Sequence, residues 1–295
     1  MSLTYVGSVE EASEALASQG YLADRPLALA VHLAVALEQP LLLEGEAGVG
    51  KTEVARALAG ATGARLIRLQ CHEGIDLHHA VYDWDYPRQL LALRAAEGGV
   101  NEGELFSRRF LLRRPLLDAL EAGAEESVVL LIDEIDRADD EFEAFLLEFL
   151  ADFAVTIPEL GTITAARRPV VILTSNRTRE LHDALKRRCL YHWVEHPSFD
   201  REVAIIRRQV PEAGELIARQ VAASAQLLRE EDLAKPPGVA ESIDWAVALV
   251  ALGADRLDPD NAIATLGAVL KYREDQERVR RMDIGAMIAV AVSGG

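Results

Sequence analysis

Basic residues are scarce in this chain. Against 48 Asp and Glu stand 31 Lys and Arg, a formal net charge of −17 over 295 residues. Free DNA or RNA meets an unfavourable mean field on such a molecule, because nucleic-acid binders present a basic face, so no nucleic acid is expected as a partner. Cysteine is sparse as well. Cys71 and Cys189 are too few and too far apart for a disulfide framework, and a reducing, cytoplasmic setting is expected. Long apolar runs are missing: nothing uncharged approaches the ~20 residues that cross a bilayer. IGAMIAVAV at 284–292 fits a packed helix, and no membrane span is expected. The stretch MSLTYVGSVEEASEALASQG lacks the basic start and apolar core of a signal peptide. There is no internal repeat and no low-complexity linker. Half the residues are hydrophobic and 27% charged, which excludes a disordered chain. The length suits one large domain or two modest ones.

What is present alternates. PLALAVHLAVALE at 26–38 has helical spacing and is stopped by Pro40. LLLEG at 41–45 reads as a buried strand, EVARALAGA as a helix with Val54 and Leu58 inward, and RLIRLQC at 65–71 as a second strand. Residues 72–112 are mixed. Pro115 opens a helix, and VVLLIDE at 128–134 is a continuous apolar run suited to a strand buried on both faces of a parallel sheet. A helix follows, then a hairpin over 155–165 turning at Pro158 and Gly161, a strand PVVILTSN at 169–176 and a fifth, LYHWVEH, at 190–196. From 198 to 292 the pattern is helical, broken at Pro236-Pro237-Gly238 and at Asp258-Pro259. The expected class is α/β, with a domain over 1–196 and a helical one over 197–295.

Four motifs carry chemistry. GEAGVGKT at 45–52 lies between a strand and a helix, the context of a phosphate-binding loop. Gly45, Glu46, Ala47, Gly48, Val49 and Gly50 bring backbone N–H groups to phosphate oxygens, and the helix N-terminus adds its dipole. Lys51 reaches the β- and γ-phosphates, and Thr52 offers a hydroxyl to Mg²⁺. Asp133 suits the second Mg²⁺ partner, held through water, and Glu134 suits a general base for the attacking water. An acid pair there argues for hydrolysis. Asn176, helped by Ser175, would end the neighbouring strand and hold that water or the γ-phosphate. Arg187 and Arg188 precede the fifth strand, and an arginine aimed at a neighbour's γ-phosphate supplies transition-state charge. Spacing alone does not choose between the two.

Other clusters carry less. Cys71, His72, His78 and His79 match no zinc spacing and read as solvated loop histidines. Arg108, Arg109, Arg113 and Arg114 form a solvated face or a subunit contact. Tyr82, Trp84 and Tyr86 suit local packing or contact with a client.

GEAGVGKT, LLIDEID, LTSN and LKRRC, in that order, resemble the AAA+ ATPases, and the resemblance spans roughly residues 20–290. DEIDRADDEFEAFLLEFLAD at 133–152 and the hairpin VTIPELGTITAARRP resemble the MoxR family. LQCHEGIDLHHAVYDWDYPRQL at 69–90 and ATLGAVLKYRED at 264–275 resemble its CoxD-like branch, which is associated with maturation of carbon monoxide dehydrogenase and related molybdenum enzymes. The resemblance implies a P-loop AAA+ core with a five-stranded parallel sheet in the order 5-1-4-3-2, then a small all-α lid. It also implies ATP and Mg²⁺ as cofactors and a ring, a hexamer, with nucleotide at subunit boundaries. Asn176 matches the first sensor. Arg188, directly before a cysteine, matches the finger of SRC-type motifs. A metalloenzyme client is implied, with a von Willebrand factor A-type partner as a separate chain. One departure stands out. Where lids of the family carry a sensor arginine, this chain reads GVAESIDWAVAL with Asp244 and Trp245, leaving Arg256 as a substitute.

Three other classes compete. A GTPase switch lacks its N-K-x-D motif. A nucleic-acid motor or clamp loader is opposed by the acidic balance. A small-molecule P-loop kinase would phosphorylate a metabolite without forming a ring.

Overall fold

The computed structural model describes residues 6–95, 102–123 and 126–293. Nine strands run along them in chain order: β1 Leu41–Gly45, β2 Arg65–Gln70, β3 Tyr82–Trp84, β4 Leu111–Arg113, β5 Val128–Asp133, β6 Ala154–Ile157, β7 Gly161–Thr164, β8 Val170–Ser175 and β9 Leu190–Val194. Five make the central sheet, in the order β2-β5-β8-β1-β9. Counting those five along the chain and starting from β9, this is 5-1-4-3-2, the order that the resemblance implies. The β2–β5, β5–β8 and β8–β1 pairs are all parallel.

Burial follows the sequence pattern. The continuous apolar runs of β1, β5 and β8 are buried at every position, whereas β2 and β9 at the edges are only partly covered. A strand covered by helices on both faces has no polar side to spare. β3 and β4 pair as a short antiparallel ribbon inside the stretch read as mixed, and β6 and β7 form the expected hairpin.

Helices start where capping residues stand. The Asp24 carboxylate accepts from Leu27 N at 2.8 Å, and the Asp139 carboxylate from Phe142 N at 2.9 Å, each satisfying a donor the helix leaves open. Helix Lys51–Thr62 follows β1 across the glycine loop.

The chain divides into two compact units. One comprises the residues up to Gln19, Ala23–Glu44 and Thr52–Trp193; the other comprises Gly20–Leu22, Gly45–Lys51 and the residues from Val194 onward. The first has a core built on the sheet, with Leu69, Leu130, Ile132 and Leu173 packed with Phe142 and Phe149 from helix Asp140–Asp152. The second packs Ile206, Val221, Leu228, Trp245, Leu249 and Leu266 among its helices. Trp245, fully buried, donates its indole N–H to Thr265 Oγ1 at 2.7 Å. Arg229 forks onto the buried Glu202 carboxylate at 2.6 and 2.7 Å, so that neither charge is left alone.

Candidate functional site

The glycine loop groups with the helical unit, and its hydrogen bonds show why. The Gly48 carbonyl accepts from Val239 N at 3.0 Å and Ala240 N at 3.3 Å, two open donors at the start of helix Val239–Ala251. Gly48 holds φ +82°, a conformation that favours glycine. Its backbone lies so close to Gly238 that a Cβ on Gly238 would come within 2.7 Å of the Gly48 Cα. The Glu241 carboxylate accepts from Gly238 N at 3.0 Å and so closes the helix start. Lys51, 6% exposed, folds its ammonium back onto the Gly45 and Glu46 carbonyls at 2.7 and 2.6 Å. Val49 is buried, and Glu46 and Ala47 are exposed; the Glu46 carboxylate meets His196 Nε2 at 3.1 Å.

In the sheet unit, Thr52 and Asp133 meet across 81 residues of sequence: Thr52 Oγ1 donates to Asp133 Oδ1 at 2.9 Å. Asp133 is 1% exposed. Its Oδ1 also accepts from Thr174 Oγ1 at 2.6 Å, and its Oδ2 accepts from Arg68 Nε at 3.0 Å and Nη2 at 2.5 Å. Glu134 follows with φ +55°, a backbone state that costs a non-glycine residue energy and collects at functional positions. Its N–H donates to Thr174 Oγ1 at 2.9 Å, so one hydroxyl locks both acids in place. The Glu134 carboxylate accepts from Gln70 Nε2 and Arg137 Nη1, both at 3.0 Å. Arg68 Nη2 also donates to Gln70 Oε1, so the holders of the two acids are joined.

The same acids act on Cys71, whose N–H donates to the Asp133 carbonyl at 2.8 Å. Burial, then the charges of Asp133, Asp136 and Glu134, push its thiol up to about 12; burial alone pushes Cys189 up to about 12.

Asn176 directly follows β8, the strand that pairs with β5. The buried Asp136 carboxylate fixes the loop that follows, accepting from Asn176 N at 3.2 Å, Thr178 N at 2.8 Å and Thr178 Oγ1 at 2.7 Å. Arg179 locks the next turn by donating to the Ala138 carbonyl and pairing with the buried Glu143. Ser175, grouped with Asn176 from the sequence, faces the other way: successive strand side chains alternate, and its hydroxyl donates to Glu44 Oε1 at 3.2 Å. Thr174 occupies the position expected of it. Arg187 and Arg188 end helix Asp183–Arg188, are exposed, and form no ion pair among the described residues.

In the helical unit, helix Val239–Ala251 carries no arginine. Asp244 pairs with Lys271 at 3.5 Å, and Arg256 is exposed. In the sheet unit, His79 Nδ1 contacts Asp76 Oδ1 at 2.7 Å, and His72 Nδ1 contacts the Glu73 carbonyl at 3.0 Å.

Sequence reasoning missed Arg68, Gln70, Thr174 and Asp136. Arg68 and Gln70 are two apart in RLIRLQ, hence on one face of a strand. Two long polar side chains on that face, near the end where the neighbouring strand carries its acids, were the available signal.

A metal fits this oxygen set. A threonine hydroxyl and a buried carboxylate, side by side, are the hard donors Mg²⁺ takes at nucleotide sites. Residues 40–189 match the model of the AAA domain, dynein-related subfamily. Over 138 residues the chain is 33% identical to chaperone protein ClpB 1 of Synechocystis sp.; that is 46% of this chain and spans only 13% of the relative's length. Domain III of the Thermotoga maritima replication initiation protein DnaA has the same fold at a TM-score of 0.50 and 17% identity, covering 86% of this chain and 96% of that one. The Thermotoga maritima RuvB Holliday junction branch migration motor gives a TM-score of 0.46 at 16% identity, covering 90% of this chain and 73% of that one. With its family model matched over half its length, the chain belongs to the AAA domain family, dynein-related subfamily.

Proposed function

We propose that this chain binds ATP on the loop 45–51 and hydrolyses it with Mg²⁺ and a water activated by Glu134. The Thr52–Asp133 contact of 2.9 Å carries the proposal, because it brings a loop-end hydroxyl and a strand-end acid together over a large sequence distance. In this reading Lys51 leaves the Gly45 and Glu46 carbonyls for the β- and γ-phosphates. Thr52 and Asp133 hold the metal, which when bound offsets the charge developing on the phosphates. Glu134, presented on its strained backbone, takes the proton of the attacking water. Asn176 orients that water from the end of β8. Arg188, with Arg187 beside it, supplies charge to the nucleotide of an adjacent subunit in a ring of six.

The work done is that of a MoxR-type remodelling factor of the CoxD-like branch, acting in a reducing cytoplasm with a separate von Willebrand factor A-type partner. The client is a metalloenzyme of the molybdenum-dependent carbon monoxide dehydrogenase kind. Supporting this are the segments 69–90, 133–152 and 264–275 and the β6–β7 hairpin before β8.

Lys51→Ala tests the chemistry. ATP turnover should be abolished and binding weakened, and normal turnover in that variant overturns the proposal. Affinity capture with the ATP-loaded Glu134→Gln protein tests the role. Recovery of a molybdenum enzyme or its assembly factors supports it, and capture of nucleic acid instead points to a motor.

A further inference from the structure

We propose that Arg68 is a built-in counter-ion for the metal position: a positioning residue that holds Asp133 in the metal-free enzyme and sets how much Mg²⁺ the reaction requires. This rests on the assignment of Thr52 and Asp133 as metal-holding groups.

A carboxylate has about four acceptor positions, and in this structure all four of Asp133 are used. Thr52 and Thr174 fill Oδ1, and two nitrogens of Arg68 fill Oδ2. Asp133 is almost wholly buried, so its charge needs a partner whenever no cation is near. Arg68 is that partner, and it is built to leave. Its side chain is 43% exposed at the edge strand β2, so a guanidinium released from Asp133 passes to water at small cost. The two hydroxyl donors are different. Thr174 also holds the Glu134 backbone N–H, and Thr52 keeps lone pairs free for a metal while it donates to Asp133. Arg68 is therefore the charged donor that competes with a cation for Oδ2. Its tie to Gln70 carries the exchange further. When Arg68 withdraws, Gln70 loses a partner, and Gln70 is one of the two groups that hold the Glu134 carboxylate.

Arg68→Gln tests this directly. Mn²⁺ binding to the complex with a non-hydrolysable ATP analogue, followed by electron paramagnetic resonance, should tighten roughly fivefold, the order expected for releasing one half-exposed ion pair. Affinity for the same analogue in excess chelator should not change, which separates the effect from damage to the loop. Arg68→Lys keeps the charge but loses the fork, and should give a smaller shift in the same direction; it also serves if Arg68→Gln does not fold. Metal binding that is unchanged or weaker in both variants overturns the proposal and makes Arg68 a support for Asp133. A parent protein that binds the analogue but no Mn²⁺ overturns instead the assignment of Thr52 and Asp133.

Discussion

Glu134 and Asp133 are neighbours in sequence, yet their surroundings differ sharply. Asp133 is sealed under two hydroxyls and a guanidinium, while the Glu134 side chain is about a third exposed. A buried acid whose exposed guanidinium partner can give way suits a cation, and one open to water suits proton transfer. Cys71 reports on the same field. With burial and three nearby carboxylates pushing its pKa up to about 12, and Cys189 likewise at about 12, both thiols should resist alkylation at pH 8 in the native protein and react once it is unfolded. A thiol protonated in the fold but free to ionise near 9 when unfolded favours the folded state fully below 9. That contribution fades as pH rises from 9 towards 12. A plot of unfolding free energy against pH should fall over that window; in a Cys71→Ala, Cys189→Ala double variant the fall should be shallower.

Among the elements, the contact of the glycine loop with helix Val239–Ala251 is the most exacting. Gly238 has φ −82°, so alanine there meets no backbone strain and the obstacle is Gly48 with the neighbouring Ala47 carbonyl. Gly238→Ala should cost about 1–3 kcal/mol of stability, the range for forced overpacking, and should weaken nucleotide binding by disturbing the Gly48 backbone. A variant matching the parent in both chemical denaturation and nucleotide titration would mean that the contact yields easily. This element was only half legible in the sequence. The P-loop glycines, the apolar strands and the breaks at 236–238 and 258–259 follow from local pattern, because turn residues and apolar runs act over a few neighbours. That Gly48 would accept from Val239 and Ala240, far along the chain, follows from no local rule. Nor does the grip of Arg68 and Gln70 on the acids of β5. The register of β2 against β5 creates it, pairing Gln70 with Asp133, and a long side chain does the rest. Ser175 failed as an expectation for a related reason. Its role depended on which of two alternating faces of β8 meets the acids, and Thr174 has that face.

For the whole molecule the questions are assembly and work. Exposed Arg187 and Arg188, without an ion pair among the described residues, are what a finger acting between subunits requires. A mixture of Arg188→Ala and Lys51→Ala proteins should hydrolyse more ATP than the two measured apart, since an interface joining an intact loop to an intact finger then forms. A mixture no more active than its parts counts against action between subunits. The central claim is the proposal that ATP is hydrolysed with Glu134 as the base, and one measurement tests it most directly. Steady-state ATP hydrolysis with Mg²⁺ should be compared in the parent and in Glu134→Gln, alongside fluorescent-nucleotide binding to both. The expected result is a rate reduced by roughly 10²–10⁴, the range for loss of a general base, with ATP affinity retained. A Glu134→Gln protein that turns over ATP at the parent's rate would contradict it.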